Sequence, residues 1–165
     1  MLKDRSKFLS FIITLTLLVS LSAHEDKAKF HHWEIPSKDP DRIILTFNGA
    51  PESSRAITWR TDTSITQAYA QIEEAAVNSK FVEQAVKQKA RTETFDLSAY
   101  KNNASLQVHY HSATFDSLKA DTQYVYRVGD GADHWSEWIQ FRTAKSEYAP
   151  TEFVYFGDAQ NEVLS

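Results

Sequence analysis

Residues 118–128 read LKADTQYVYRV and carry the most specific fold signal in the chain. A leucine ends one strand, a tight polar turn follows, and Tyr124 stands at the start of the next strand. This order is typical of a tyrosine corner, in which the phenol hydroxyl bonds back to the backbone of the turn while the ring packs in the core. Trp59, on an earlier alternating strand, is the second aromatic side chain that we assign to the core. Both residues are therefore predicted to be structural parts of an antiparallel β-sandwich.

Short alternating segments on either side of this motif support the same architecture. Residues 42–47 and 55–61 are separated by turn residues and predict a hairpin. Residues 73–103 combine helix formers with an alternating run at 87–95, and we expect strands joined by loops there, with 87–95 as a solvated edge strand. Further strands are predicted at residues 66–72, 106–115, 122–128 and 138–143. About seven short strands without a long helix are typical of an all-β sandwich.

The first 23 residues have the three-part pattern of a secretory signal peptide. Three basic residues precede an uncharged run at residues 8–21, and small residues stand before the expected cleavage point near Ala23. An uncleaved anchor helix is the alternative, but the run is shorter than the roughly 20 residues that a membrane span requires. We therefore expect no membrane span after cleavage and a secreted or periplasmic protein. Residues 24–40 are polar, contain two prolines and predict an extended lead-in.

Composition narrows the possible functions. The chain has 165 residues, 42% of them hydrophobic, which suits one ordinary domain or a small domain with a piece of another. It has no cysteine, which excludes thiol catalysis, zinc knuckles, iron–sulfur clusters and disulfide frameworks. Removing the signal peptide takes away three basic residues and one acid, which leaves 15 basic and 21 acidic residues and a net charge of −6. Nucleic acid is therefore not an expected partner.

Residues 152–157, EFVYFG, differ from the strands before them because four consecutive residues are apolar and would cover both faces. Such a strand is typical of a parallel α/β sheet. It follows a predicted linker at residues 146–151, so a new domain is expected to begin at this strand. Asp158 comes directly after it, where α/β sheets bind ligands, and its carboxylate is a hard oxygen ligand suited to a metal ion. Taken alone, the Gly-Asp pair is a weak motif, and a solvated turn aspartate or helix N-cap is then the favoured interpretation of Asp158.

Three stretches in fixed order resemble a known family. They are VHYHSATFDSLKADTQYVYRVGDG at residues 108–131, HWSEWIQFRTA at residues 134–144 and FVYFGDAQNEV at residues 153–163. Together they are similar to the purple acid phosphatases, whose chains open with a fibronectin type III-like domain and continue into a calcineurin-like metallophosphoesterase domain. The resemblance extends over residues 40–165. It implies a fibronectin type III-like domain at residues 41–145 and the first strand of a truncated α/β metallophosphoesterase domain at residues 152–165.

The resemblance also implies a chemistry. Gly157-Asp158 matches the first metal-binding motif of the metallophosphoesterases, so Asp158 would ligate one ion of a dinuclear centre, iron with iron, zinc or manganese, acting on a phosphate ester. Gln160 stands where animal and plant members usually have glycine, which leaves open whether the relative is a purple phosphatase or a broader phosphodiesterase. The family's other metal ligands would lie beyond Ser165. We therefore expect an amino-terminal fragment, from a partial gene, a truncated sequence or a disrupted frame, that is inactive by itself.

The rival hypothesis is a stand-alone exported fibronectin-like module for binding or adhesion, in which residues 152–165 only add a last strand. If the fragment hypothesis holds, residues 153–156 should form an exposed apolar surface, because the sheet that would cover them is missing. The residues predict no particular oligomeric state.

Several other groups of residues could be mistaken for sites. His109 and His111 lie at i and i+2 on one strand face, a spacing that suits zinc or copper, and His31-His32 is a second pair. We expect surface or loop positions for both pairs. The Trp135-Ser136-Glu137-Trp138 segment resembles a carbohydrate platform, but the favoured interpretation is a turn and strand start whose tryptophans cover the sandwich end or the domain interface. Asn103 begins a formal glycan acceptor sequence.

Overall fold

A computed structural model of the protein describes residues 34–78, 80–97, 106–150 and 152–157. In chain order, the elements are β1 (Asp41–Thr46), β2 (Arg55–Thr61), β3 (Tyr69–Glu74), α1 (Phe81–Gln84), β4 (Val86–Lys89), β5 (Arg91–Asp96), β6 (Gln107–Phe115), β7 (Gln123–Gly129) and β8 (Ile139–Arg142). The strands form two four-stranded antiparallel sheets, in the orders β1-β2-β6-β5 and β4-β3-β7-β8. The predicted all-β sandwich and the β1–β2 hairpin are confirmed.

In the described part of residues 73–103, where the sequence combines helix formers with an alternating run, a single helical turn is followed by the strands β4 and β5. α1 has no buried residue, so no apolar face holds a longer helix in place. The chain then changes sheets at Ala90, which is buried and whose N–H donates to the carbonyl of Ala68. The predicted edge strand at residues 87–95 is therefore two edge strands, β4 in the second sheet and β5 in the first. The preference for strands over helix is confirmed.

The core lies between the two sheets. Trp59 and Ile57 of β2 are fully buried, and they pack in one cluster with the predicted apolar face of β3, Ala70 and Ile72. On β6 the alternation places residues on the two faces as predicted, and the face with His111 is the one that points into the core, since His111 pairs with Trp59 across the strands. Tyr124, in the same cluster, comes from β7.

A salt bridge between Arg60 and Asp41 lies on the outer face of the first sheet. Arg60 is buried and donates from Nε to Oδ1 of Asp41 at 2.8 Å and from Nη1 to the Glu34 carbonyl at 3.0 Å. The Asp41 carboxylate raises the pKa of Arg60. Arg42 has φ 49° at an irregularity in the β1–β2 register, and this local kink lets the first residue of β1 lie opposite Arg60.

Several predictions concern residues outside the described part. The signal peptide at residues 1–23 lies there, and only residues 34–40 of the predicted lead-in are described. Within the described ranges, no helix is long and apolar enough to cross a membrane. The domain boundaries at residues 145 and 152 stay predictions.

Candidate functional site

The tyrosine corner is present at the end of the sandwich where β8 ends. The N–H of Lys119 donates to the hydroxyl of Tyr124 at 2.9 Å, and the tyrosine ring stacks on Phe141 of β8 with centroids 5.6 Å apart. Asp121 stands in the turn with φ 50°, a left-handed conformation that aspartate tolerates, and its carboxylate accepts from Nε of Arg142 at 2.8 Å. The predicted hydrogen bond from the turn to the phenol is confirmed.

We call this end of the sandwich the exit end (residues 50–55, 116–124 and 141–144). The backbone that follows β8 is hydrogen-bonded here to two different turns. The buried hydroxyl of Thr143 donates to the Lys119 carbonyl at 2.6 Å and accepts from the Thr122 N–H at 2.9 Å. The N–H of Ala144 donates to the Pro51 carbonyl at 3.1 Å, in the β1–β2 turn. The chain is therefore held by both sheets as far as Ala144.

Arg55 ties the two sheets together at the exit end. Its guanidinium donates to the carbonyls of Pro51 at 2.6 Å and Ser54 at 2.7 Å, and from Nη2 to the carbonyl of Arg142 at 3.3 Å. It lies over the rings of Phe47 and Phe141, 4.6 and 5.5 Å from their centroids. The side chain is buried, and this burial lowers the pKa of Arg55. A cation at the sandwich end thus holds β2 of one sheet to β8 of the other.

The segment after the linker lies open to solvent. Its four apolar residues are between 76% and 86% exposed: Phe153, Val154, Tyr155 and Phe156. Residues 152–157 form no strand in the described part of the chain, so the predicted α/β strand is not formed there, while the predicted exposed apolar surface is present. Asp158 and the residues after it lie outside the described residues, and its metal-binding role stays a prediction.

The assignment of this chain to a protein family rests on a family match that covers most of the sandwich. The family described as "Purple acid Phosphatase, N-terminal domain" matches residues 40–143. This chain belongs to that family. Among the curated proteins, none matches the chain.

Solved structures resemble this purple acid phosphatase N-terminal domain more distantly. The purple acid phosphatase PPD1 from yellow lupin (Lupinus luteus) has 18% identity and a TM-score of 0.48, over 66% of this chain and 20% of that chain. The fibronectin type III domain of human contactin 1 has 18% identity and a TM-score of 0.46, over 79% of this chain and 97% of that one. This chain thus spans about a fifth of the lupin phosphatase. At these identities and TM-scores, the family assignment depends on the match over residues 40–143 and not on the solved structures.

The purple acid phosphatase N-terminal domain does not use His109 and His111 as a surface pair. The expectation of a surface position is wrong for His111, which is only 1% exposed, because its strand face points into the core. His109 is half-buried, and its Nδ1–H donates to the Ile65 carbonyl at 2.8 Å. His31 and His32 lie outside the described residues. In the described ranges no three histidine or carboxylate side chains lie together so as to hold a metal ion.

Trp135 and Trp138 hold an arginine instead of offering a free stacking surface. The Arg127 guanidinium lies between the rings of Trp135 and Trp138, 4.4 and 4.7 Å from their centroids, and its Nε donates to Oε1 of Gln71 at 2.7 Å. Phe81 contacts Trp138 edge-on at 5.1 Å. These contacts lie within the sandwich and agree with tryptophans that cover it, while a role at a domain interface stays a prediction. The glycan acceptor at Asn103 lies outside the described part.

Proposed function

We propose that this chain is the amino-terminal domain of an exported, metal-dependent phosphoesterase that hydrolyses phosphate esters. The observation that carries the proposal is the family match over residues 40–143. It is supported by the four-residue apolar segment that follows the sandwich, which is largely exposed and offers a surface that a catalytic domain could cover.

The sandwich would carry and orient the catalytic domain. The exit end is suited to that task, because Thr143 and Ala144 are bound to both sheets and Arg55 holds the sheets together beside them. Because the backbone is fixed at Ala144, the segment that follows leaves the sandwich in a defined direction, as the positioning of a catalytic domain requires.

The metal chemistry would belong to residues after the sandwich. A dinuclear centre needs several carboxylate and histidine ligands, and the described residues contain no suitable group of three, so they do not fit such a centre. Asp158 is the residue of this chain that we propose as a metal ligand, since it follows the apolar segment in the Gly-Asp pair. No catalytic step is assigned to the sandwich, and the chain by itself is expected to be inactive.

The test is hydrolysis by the continuous reading frame that contains this chain. The DNA after the codon for Ser165 is read, the frame is expressed, and an aryl phosphate monoester and a diester are assayed with added iron, zinc and manganese. Metal-dependent turnover that Asp158→Ala abolishes and Asp133→Ala leaves intact would support the proposal, because Asp133 is an exposed aspartate on the sandwich. A frame that stops without further aspartate and histidine motifs would instead favour a stand-alone exported binding or adhesion module.

A further inference from the structure

In the described part of the chain, the two sheets end in four edge strands, β1 and β5 in the first sheet and β4 and β8 in the second. The free side of an edge strand presents backbone N–H and C=O groups that can pair with a strand of another molecule. Natural sheets oppose this pairing with charged side chains, bulges and short edge strands. These features decide which edge of the sandwich is open to a partner.

Three of these edges are protected by charge. β4 has only four residues, and two of them are exposed lysines. β5 carries three exposed charged side chains, those of Arg91, Glu93 and Asp96. β8 also has only four residues and ends in Arg142, whose side chain is 56% exposed. A strand that approached any of these edges would therefore meet a charge.

β1 has such protection only at its start. Asp41 accepts from Arg60, and Arg42, with φ 49°, stands at the irregularity in the register with β2. From Ile44 onward the register with β2 is regular. Residues 43–47, IILTF, carry no charge, and we call them the open edge. Neither a charge nor a bulge therefore protects this part of the strand.

The open edge also exposes apolar side chains. Ile44 is 55% exposed. Phe47 is 71% exposed, although the guanidinium of Arg55 lies against its ring, 4.6 Å from the centroid. Among the residues that the structure describes, β2 is the strand that pairs with β1, so the other side of the open edge is available for hydrogen bonding. An uncharged strand edge with exposed apolar side chains is suited to the addition of another strand.

The side chains of the open edge are self-complementary. Ile43 and Leu45 pack against the core, while Ile44 and Thr46 are exposed on the outer side. Two copies of this edge can run antiparallel about a two-fold axis at Leu45. Ile43 then lies opposite Phe47 of the second copy on the core side, because alternation places Phe47 on the side of Leu45. Ile44 lies opposite Thr46 of the second copy on the outer side. Apolar groups meet in this arrangement, and no like charges are brought together.

The other edges of a second copy are less suitable partners for the open edge. Pairing with β4, β5 or β8 would place apolar side chains beside the charges of those strands. It would also leave one open edge free, so that contacts would continue from copy to copy without closing. Pairing of β1 with β1 uses the same edge of both copies and ends with two molecules. The open edge therefore fits a second copy of itself.

We propose that the sandwich forms a homodimer in which β1 of each copy pairs antiparallel with β1 of the other. The two first sheets then join into one eight-stranded sheet, and the exposed Ile44 and Phe47 side chains are covered. Five residues from each chain bury less than the roughly 1,200 Å² of a standard interface, so we expect a dissociation constant of about 100 μM. The proposal concerns the sandwich alone and does not depend on phosphoesterase activity.

Sedimentation equilibrium of the chain without its signal peptide, from about 10 μM to about 1 mM, measures the association. The average mass should rise from the monomer toward twice that mass. Ile44→Lys adds a protective charge to the open edge, and the two-fold axis brings two such lysines near each other, so association should weaken at least about tenfold. Val86→Lys is the matched control, because it makes the same kind of change at a 64% exposed residue of β4 and should associate like the unaltered chain.

A single introduced cysteine tests the register, since the chain has no cysteine of its own. Opposite residues of an antiparallel pair have Cα atoms about 4.5–5.5 Å apart, within the range of a disulfide. Leu45→Cys, at the two-fold axis, should therefore form a covalent dimer under mild oxidation faster than Val86→Cys. This comparison decides if Ile44→Lys does not fold.

A monomer at every concentration, or equal association of Ile44→Lys and Val86→Lys, would overturn the proposal. Equal cross-linking rates of the two cysteine variants would also overturn it. Val154→Lys distinguishes association through the apolar segment after the sandwich. If Val154→Lys prevents association while Ile44→Lys leaves it unchanged, that segment forms the contact and the open edge does not.

Discussion

Replacing Tyr124 by phenylalanine isolates the hydrogen bond of the tyrosine corner. The ring and its stack on Phe141 are retained, while the 2.9 Å bond from the Lys119 N–H is lost. The tyrosine is only 6% exposed, so water replaces its hydroxyl poorly. The bond is partly buried, and a donor left without its partner at such a site costs about 1–3 kcal/mol. We expect a loss of about 1.5 kcal/mol in the free energy of unfolding, and, at about 4–8 °C per kcal/mol for a domain of roughly 100 residues, a Tm lowered by about 6–12 °C.

The measurement is urea unfolding monitored by tryptophan fluorescence, with Tyr126→Phe as the matched control. Tyr126 lies two residues further along the same strand face and is buried, but the described residues show no hydrogen bond from its hydroxyl. Tyr124→Phe should be less stable than Tyr126→Phe by at least about 1 kcal/mol, with an unchanged m-value. Equal stabilities of the two variants would refute the reasoning that the phenol hydroxyl pins the turn at the exit end.

Three further predictions concern other parts of the chain. Asp41→Asn removes the carboxylate beside the buried guanidinium of Arg60 and should destabilise the sandwich by about 2 kcal/mol. This loss is smaller than the usual loss for a fully buried pair, because Asp41 is 39% exposed. Urea unfolding measures it against Asp133→Asn, which should leave the free energy of unfolding unchanged. The pKa of His111 falls from 6.5 to about 4 on folding, so its neutral form contributes fully to the free energy of unfolding above pH 6.5. This contribution should be lost as the pH falls toward 4, by up to about 2 kcal/mol at pH 5. Unfolding of His111→Gln should lack this loss, and the same dependence of stability on pH in both proteins would contradict the prediction. Export with signal cleavage should give a mature chain that starts at His24, which mass spectrometry of the extracellular or periplasmic product would reveal, whereas an intact amino terminus would contradict the signal peptide.

Local motifs explain what the sequence could predict. The tyrosine corner involves residues five apart, and the alternation of β3 and β7 repeats within a few residues, so both could be seen in one stretch of chain. The switch between sheets at Ala90 could not, because an alternating run looks the same whether it stays in one sheet or crosses to the other. Only the pairing partners, β3 on one side and β6 on the other, distinguish the two cases.

Interactions between distant strands account for the rest. On β6, the alternation separates Val108 from His111, but both are buried, so neither polarity nor period shows which face meets the core. Arg127 lies between two tryptophans only because β7 pairs with β8 and the intervening loop folds back, and nothing in its immediate sequence indicates this. For Asp158, the Gly-Asp pair and the family remain the basis of the metal-ligand prediction.

The metal content of the protein encoded by the continuous reading frame tests the central claim most directly. After purification and removal of loosely bound ions, elemental analysis should find about two metal ions per chain in the unaltered protein and in Asp133→Ala, as a dinuclear hydrolase requires. Asp158→Ala should have clearly fewer while its sandwich stays folded. Equal metal content in Asp158→Ala and Asp133→Ala, or no bound metal in any of the three proteins, would contradict the assignment of this chain to a metal-dependent phosphoesterase.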